Sequence, residues 1–412
     1  MTMANITRLR KNIETLKAIS EPCNGGVTRI GFTPKYREGV EYIKCQMREA
    51  GLDVVEDDIG NIYGRLAGKN PQLPAILSGS HLDTVRNAGA FDGIAGVIAA
   101  LEVARMLREN NIQLDHTLEV VGFIEEEGTQ FGIVLLGSRF ITGEFTEEDY
   151  DRISNESGET LRDRLQAYSS DNKVIPARRQ PGTIKAFIEL HDEQGPLLEN
   201  THSDIGIVDN IVAIGQMVVN VHGFAGHAGT VPMTMRQDAG VAGNLLATRL
   251  TQYVIDRYPE TATLTIGKFH LEPGSANCIP CECRFTLDIR SGKAAIVQEI
   301  ISYVQSESIE VARHCSVAIE TEETSFKEPV EMDGTLKGII KSACEECNLT
   351  WQPMSSGAGH DAMIMAGISR AAMLFVPCVQ GITHHPAECI PWEDMGKGTD
   401  VLYNTILKID RL

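Results

Sequence analysis

The sequence predicts an α/β fold in two parts, and three observations carry that prediction. Strands alternate with helices over the first 211 residues and do so again after residue 330. The stretch between them reads strand, helix, strand, strand, helix, strand, which is the ferredoxin-like βαββαβ order. At 412 residues the chain also exceeds the comfortable size of one hydrophobic core. The expected organisation is an α/β domain with a central mixed sheet over 1–211 and 331–412, and a smaller inserted domain over 212–330.

Each element has its own warrant. Thr33-Pro34 followed by YREGVEYIKCQMREAG reads as a capped helix with proline in its first turn and Gly51 as its stop. LDVVEDDIGNIYGRLAG reads as a hairpin turning at Asp57 to Gly60. AILSGSH is a short buried strand, and GIAGVIAALEVARMLREN an amphipathic helix starting just after Asp92. TLEVVGFIEEEG is a strand ending in three glutamates, and IKAFIELHDEQG a strand ending at His191. In the middle stretch, GQMVVNVHGF, TLTIGKFHL, CECRFTLDIR and VAIETEETSF are the strands. Helices over about 237–257 and 293–313 complete that order. AAMLFV is the last strand, before a closing helix.

Charge and composition exclude several classes. There are 37 basic and 56 acidic residues, a formal charge of −19, which argues against a nucleic-acid or anionic-membrane partner because both need a basic face. The N-terminal MTMANITRLRKNIETLK has no apolar core of a signal peptide. The longest apolar run, Ile94 to Leu107, is interrupted by Glu102 and Arg105 and is too short to span a bilayer. Ten cysteines in so long a chain make no dense disulfide framework, so a reducing cytoplasm is the expected compartment. Cys278/Cys281 and Cys344/Cys347 have zinc-site spacing, but Cys281 and Cys283 share a strand face and the other pair lies on a helix. Packing as small apolar side chains is therefore the preferred reading.

Chemistry gathers at the ends of the predicted strands, where α/β sheets bind ligands. His81-x-Asp83, Asp92, Glu125-Glu126-Glu127 and His191 all stand there, and Gly381-Ile382-Thr383-His384-His385-Pro386-Ala387-Glu388 follows the last strand. Imidazoles and carboxylates at one rim make a mixed nitrogen and oxygen pocket suited to zinc, manganese or cobalt. Taken singly, Asp92 could cap the next helix, His81 and His191 could be hydrogen-bonded core histidines, and the three glutamates a solvated strand end. Their coincidence favours metal. Asp83, two residues from His81 on an extended segment, faces the same side and can accept that ring's second N–H. Neighbouring Glu126 and Glu127 point to different sides, so one can bind metal while the other takes a proton from attacking water.

These blocks together, GSHLDTV, GAFDG, EEEG with LLGSR, ELHDEQG, GHAGTVPM, SGAGHDA and GITHHPAE, resemble the dinuclear-metal amidohydrolases of the M20 superfamily over essentially the whole chain. Within it they are most similar to the branch of allantoate amidohydrolases and N-carbamoyl-L-amino-acid hydrolases. The resemblance implies two divalent ions per subunit, with His81, Asp92 and His191 at one and Asp92, Glu127 and His384 at the other. His385 stands beside the expected ligand His384. The resemblance further implies Glu126 as general base, Asp83 as support for His81, and a homodimer in which His227 reaches the neighbouring active site. Arg290, Asn277, Gln216 and His360 would contact a small anionic ureido substrate. Three of these have a plain structural alternative: a turn histidine for His227, a surface ion pair for Arg290, a structural loop residue for His360. A carboxylate commonly replaces His191 in the plain peptidases, so His191 favours the carbamoylase-like branch. The loop SGAGHDA and Gly215-Gln216 lean toward allantoate.

The expected reaction is hydrolysis of a terminal ureido C–N bond, allantoate giving ureidoglycine, ammonia and carbon dioxide. The alternatives are an N-carbamoyl-L-amino-acid hydrolase or β-ureidopropionase, then a dipeptidase or aminoacylase, and last a non-catalytic binding protein on the same scaffold.

Overall fold

The structure is a computed structural model and describes residues 3–168 and 174–412. Two compact units emerge. The larger comprises Met1–Asp209, Glu331–Met354 and Gly359–Leu412, and the smaller Asn210–Val330 with Ser355–Ala358.

The larger unit is built on a ten-stranded mixed sheet. Its middle is four parallel strands in the order Arg370–Val376, Ile184–Asp192, Ala75–His81, Leu118–Phe123. Every residue of Ala75–His81 and Leu118–Phe123 is buried. Helices cover both faces of such a sheet, which is why these strands read as near-continuous apolar runs and do not alternate. On one side of this middle Ile62–Leu66 joins antiparallel and continues into the Asp53–Asp57 hairpin. Asp57 builds that turn, its carboxylate accepting the Ile59, Gly60 and Asn61 N–H groups at 2.8–3.2 Å. On the other side Ile205–Ile211 joins antiparallel, so the sheet is mixed as expected.

The helix Ile94–Glu109 is buried from Ile94 to Leu107. The two charges that interrupt its apolar run are both hydrogen-bonded. Glu102 takes Arg8 at 2.6 Å, and Arg105 donates to the Gln46 carbonyl and side chain. The helix Pro34–Glu49 starts at Thr33, whose hydroxyl accepts the Tyr36 N–H. No helix among the described residues is long and apolar enough to cross a membrane.

The smaller unit holds a four-stranded antiparallel sheet ordered Ala262–Glu272, Glu282–Ser291, Ala213–His222, Ala318–Lys327. With helices Ala239–Arg257 and Ala294–Cys315 this is the βαββαβ topology. Alternate residues of Glu282–Ser291 are buried, and Cys283, Phe285, Leu287 and Ile289 pack with Leu246, Leu250, Val297 and Ile301. Cys283 belongs to this core and Cys344 to that of the larger unit, each packed as an apolar side chain. Ser355–Ala358, which includes the start of the SGAGHDA loop, clusters with this unit. The Val212 N–H donates to the Ser356 carbonyl at 3.0 Å, and Arg290 donates to the Gly357 carbonyl at 2.7 Å.

Candidate metal centre

Three parallel strands deliver their chemistry at one rim of the large sheet. His81 closes the strand Ala75–His81, His191 is the penultimate residue of Ile184–Asp192, and the glutamates follow Leu118–Phe123. That strand stops at Phe123, two residues before the first glutamate. Glu125 turns the chain with φ of 55°, and the next two residues, Glu126 and Glu127, approach His81 and His384.

Asp92 is the focus. One oxygen, Oδ1, lies 3.3 Å from His81 Nε2 and 3.3 Å from His191 Nε2. The other, Oδ2, lies 3.1 Å from His384 Nε2. Glu127 Oε1 is 3.5 Å from that same nitrogen, and Glu126 Oε2 is 3.8 Å from His81 Nε2. Asp92 therefore does not cap the helix after it. The cap is Gly93, with no side-chain hydrogen bond, at φ of 67°. A Cβ on Gly93 would stand 2.5 Å from three atoms of the His81 ring, so only glycine leaves the imidazole its place.

Among the described residues four donor groups have ligand atoms within 4.8 Å of one another: His81, Asp92 and His191; Asp92, Glu127 and His384; His81, Glu126 and Glu127; and Glu189, His191 and His360. The first two share Asp92. The donors suit divalent cations: neutral imidazoles and carboxylates match borderline and hard ions. Glu127 Oε1 is moreover buried without a hydrogen-bond donor, a costly state that a cation would relieve.

The imidazoles are set for ligation. His81 Nδ1 faces the Asp83 carbonyl and His191 Nδ1 the Asp192 carbonyl, each at 3.1 Å. A ring hydrogen on Nδ1 would free Nε2 for an ion whenever the imidazole is neutral. This revises the expected role of Asp83. Its backbone oxygen serves His81, while its nearer carboxylate oxygen is 3.8 Å away. The carboxylate instead accepts the Glu126 and Glu127 N–H groups, each at 3.1 Å.

The charged groups of the centre act on one another at close range. Burial works to lower the proton affinity of His81, but Glu126, Asp92 and Asp83 outweigh it and hold it well above the ordinary histidine range. His191 is likewise raised against burial by Asp192 and Asp92. Burial also opposes ionisation of Asp92, yet His191, His384 and His81 keep it well below the usual carboxylate range. Burial pushes Glu126 well up and Glu127 up to about 7. The hydrogen bond with Asp92 raises His384 to about 9. His385 lies outside the cluster: it is exposed, and its Nδ1 accepts the Ala387 N–H. His360 is buried beside His191, ring centroids 4.5 Å apart, and burial drives it well below the ordinary range.

The remaining candidates belong to the smaller unit. His227 is exposed, and its Nδ1 accepts the Gly229 N–H at 3.0 Å, so Nε2 carries the hydrogen and is a free donor. Its strand partner is Cys278, next to exposed Asn277. Arg290 donates to Asp288 at 2.6 Å and 3.3 Å and to the Gly357 carbonyl. Gln216 donates to the same Asp288 at 3.4 Å. Arg290 thus sits in the ion pair that was its plain alternative, with Gln216 beside it.

Sequence reading missed five residues here. Asp192 Oδ1 lies 3.1 Å from His191 Nδ1, and its place directly after the histidine was the available signal. Gln194 Nε2 donates to Asp92 Oδ2 at 3.1 Å. Thr383 and Glu388 approach Asp92 from the segment carrying His384. Asp288, two residues before Arg290 and facing the same way, was visible by strand period.

A family model described as Peptidase family M20/M25/M40 matches residues 77–408, which include every residue of this centre. The chain belongs to that family. Among curated M20 relatives, an N-carbamoyl-L-amino-acid amidohydrolase from Paenarthrobacter aurescens is 37% identical over 409 residues, covering 99% of both chains. An allantoate amidohydrolase from Escherichia coli (strain K12) is 33% identical over 403 residues, covering 96% of this chain and 97% of the other. Among solved structures, a hydantoinase/carbamoylase family amidase from Burkholderia ambifaria superposes with a TM-score of 0.93 at 33% identity, covering 99% of this chain and 98% of that one. This M20 protein is an amidohydrolase-type enzyme, and its clustered histidines and carboxylates are able to bind metal.

Proposed function

We propose that this protein hydrolyses the terminal ureido group of a small carboxylate, with allantoate as its substrate. The observation that carries the chemistry is Asp92 shared between two ligand sets, with Glu126 beside them. His81, Asp92 and His191 would hold one divalent ion and Asp92, Glu127 and His384 the other, zinc or manganese first and cobalt as a further option. When bound, ions at these ligands supply Lewis acidity for polarising a carbonyl and acidifying water.

The chain's own residues do the rest. Glu126 takes a proton at its carboxylate as water adds to the ureido carbon, then returns it to the leaving nitrogen as the C–N bond breaks and ammonia departs. Its burial, which raises its proton affinity, suits a group that must both accept and return a proton. Asp83 fixes where Glu126 stands, by holding its backbone N–H. His227 donates its Nε2 hydrogen to the developing oxyanion of a second copy's site, in a homodimer. Arg290 pairs with the substrate carboxylate, exchanging Asp288 for it, with Gln216 and Asn277 alongside. His360 borders the substrate next to His191. The larger unit is then the catalytic domain and the smaller one the substrate and dimer domain, in the cytoplasm.

Allantoate is favoured by the SGAGHDA loop and by Gly215-Gln216. A second reading, an N-carbamoyl-L-amino acid, is favoured by the higher identity to the Paenarthrobacter aurescens relative. Ammonia release from allantoate, N-carbamoyl amino acids and 3-ureidopropionate, measured side by side with manganese, separates them. The proposal expects allantoate to give the highest kcat/KM. If allantoate is the poorest of the three, the substrate assignment is wrong.

A further inference from the structure

Glu388 has no role in the scheme above, yet it is a buried carboxylate set directly against the shared ligand. Its Oε1 accepts two consecutive backbone N–H groups, from Phe91 at 2.8 Å and from Asp92 itself at 3.0 Å. Its Oε2 lies 3.3 Å from Thr383 Oγ1, and that hydroxyl is also 3.3 Å from Asp92 Oδ2. Gln194 closes the circle, with Nε2 3.1 Å from Asp92 Oδ2 and 3.4 Å from Thr383 Oγ1. One side chain therefore ties two loops that are 296 residues apart in sequence.

Those two loops carry different ligands. One brings Asp92 and the other His384, which meet at 3.1 Å. Neither loop segment is part of a helix or of a strand of the sheet that would fix it. The sequence also makes room for the clip: a Cβ on Gly89 would stand 2.3 Å from Glu388 Cβ, Cδ and Oε1. A buried acid in a centre already crowded with acids is unfavourable unless its position does something.

We infer that Glu388 is a positioning residue which, by holding the Phe91 and Asp92 amides, sets the carboxylate of Asp92 where His384 and the two other imidazoles can share it. This rests on the two-ion reading of the centre. Glu388 touches no ligand side chain by its own carboxylate and is not itself placed among the ligands. Its expected effect is on ion affinity, above all on the Asp92, Glu127 and His384 set, because that set joins the two loops. Supporting groups of this kind commonly carry roughly 10–100-fold in metal affinity.

The test compares full-length wild type, Glu388→Gln, Glu388→Ala and Gly89→Ala. Manganese affinity and stoichiometry are read by chelator competition, and melting of each metal-free protein by calorimetry. Glutamine keeps a carbonyl oxygen for the two amides, so Glu388→Gln should bind within about threefold of wild type. Glu388→Ala should lose roughly tenfold or more at one of the two ions. Gly89→Ala should share that loss, since its methyl group displaces the glutamate. The inference is overturned if Glu388→Ala binds both ions as tightly as wild type. It is also overturned if Glu388→Gln is as impaired as Glu388→Ala, or if both ions weaken equally in step with a lowered melting temperature. Wild type that binds no ion at all would instead remove the two-ion reading, and this inference with it.

Discussion

Asp83 grips the backbone of Glu126, its Oδ1 accepting that residue's N–H at 3.1 Å. The second oxygen does the same for the next amide, so one buried carboxylate holds Glu126 and Glu127 together. Asp83→Asn places an amide hydrogen against one of these N–H donors. The expected cost is about 1–3 kcal/mol in stability, and a fall in kcat that exceeds any change in KM. Thermal unfolding and steady-state kinetics on one preparation check this. Unchanged kcat would mean that Asp83 does not set the base.

Glu126→Gln keeps the shape of the side chain and removes its ability to take a proton. Turnover should fall roughly 10²–10⁴-fold, the usual worth of a positioned general base. Metal content should be unchanged, because Glu126 stands outside both ligand sets proposed here. Rate and metal analysis together decide it: near-normal turnover removes Glu126 from its role, and lost metal makes it a ligand.

Arg290 is predicted to recognise charge on the substrate. Arg290→Ala should raise KM for a carboxylate-bearing ureido compound about tenfold or more, in line with the ~1.5–3 kcal/mol of a charged hydrogen bond. It should hardly alter KM for the corresponding uncharged amide. Equal effects on both compounds would leave Arg290 as the partner of Asp288 and Gly357 alone.

The metal-free protein should lose stability between pH 6 and pH 9. Burial raises Glu127 to about 7 and Glu125 and Glu388 to about 8, so the folded state holds protons that the unfolded state has released. His384, raised to about 9 chiefly by its hydrogen bond with Asp92, acts in the same direction. Its contribution is full below the ordinary histidine value and is lost as pH climbs through about 9. Asp92, held below its ordinary value, contributes only above that value and so does not change across this window. Added zinc or manganese should oppose the trend, because ions replace these protons and bind more tightly as pH rises. Melting temperatures at several pH values, with and without ion, test the sign.

Much of this was readable from the chain because the strands are short, buried on both faces and bounded by clear turns. Each therefore delivered a residue at or next to its end, His81 or His191, to a predictable rim. The βαββαβ order was readable for the same reason, since alternation in CECRFTLDIR and its neighbours gives the helix-covered face directly. What escaped were relations between loops. Nothing near Glu388 announces that its partners are the amides of Phe91 and Asp92, and nothing in His81-x-Asp83 says that a backbone oxygen, not the carboxylate, comes closest to the ring. Strand period predicts which side a residue faces. It is silent on which atom of that residue makes the contact. Two of the missed residues were nonetheless within reach: Asp192 adjoins a proposed ligand, and Asp288 lies one strand repeat before Arg290.

Asp92 is proposed to join two cations. Anomalous diffraction from crystals loaded with manganese or zinc tests it most directly. Two peaks per subunit are expected roughly 3.5–4 Å apart, one against His81 and His191, the other against Glu127 and His384, with the Asp92 carboxylate between them. A single peak, or two whose ligands leave Asp92 out, would contradict it.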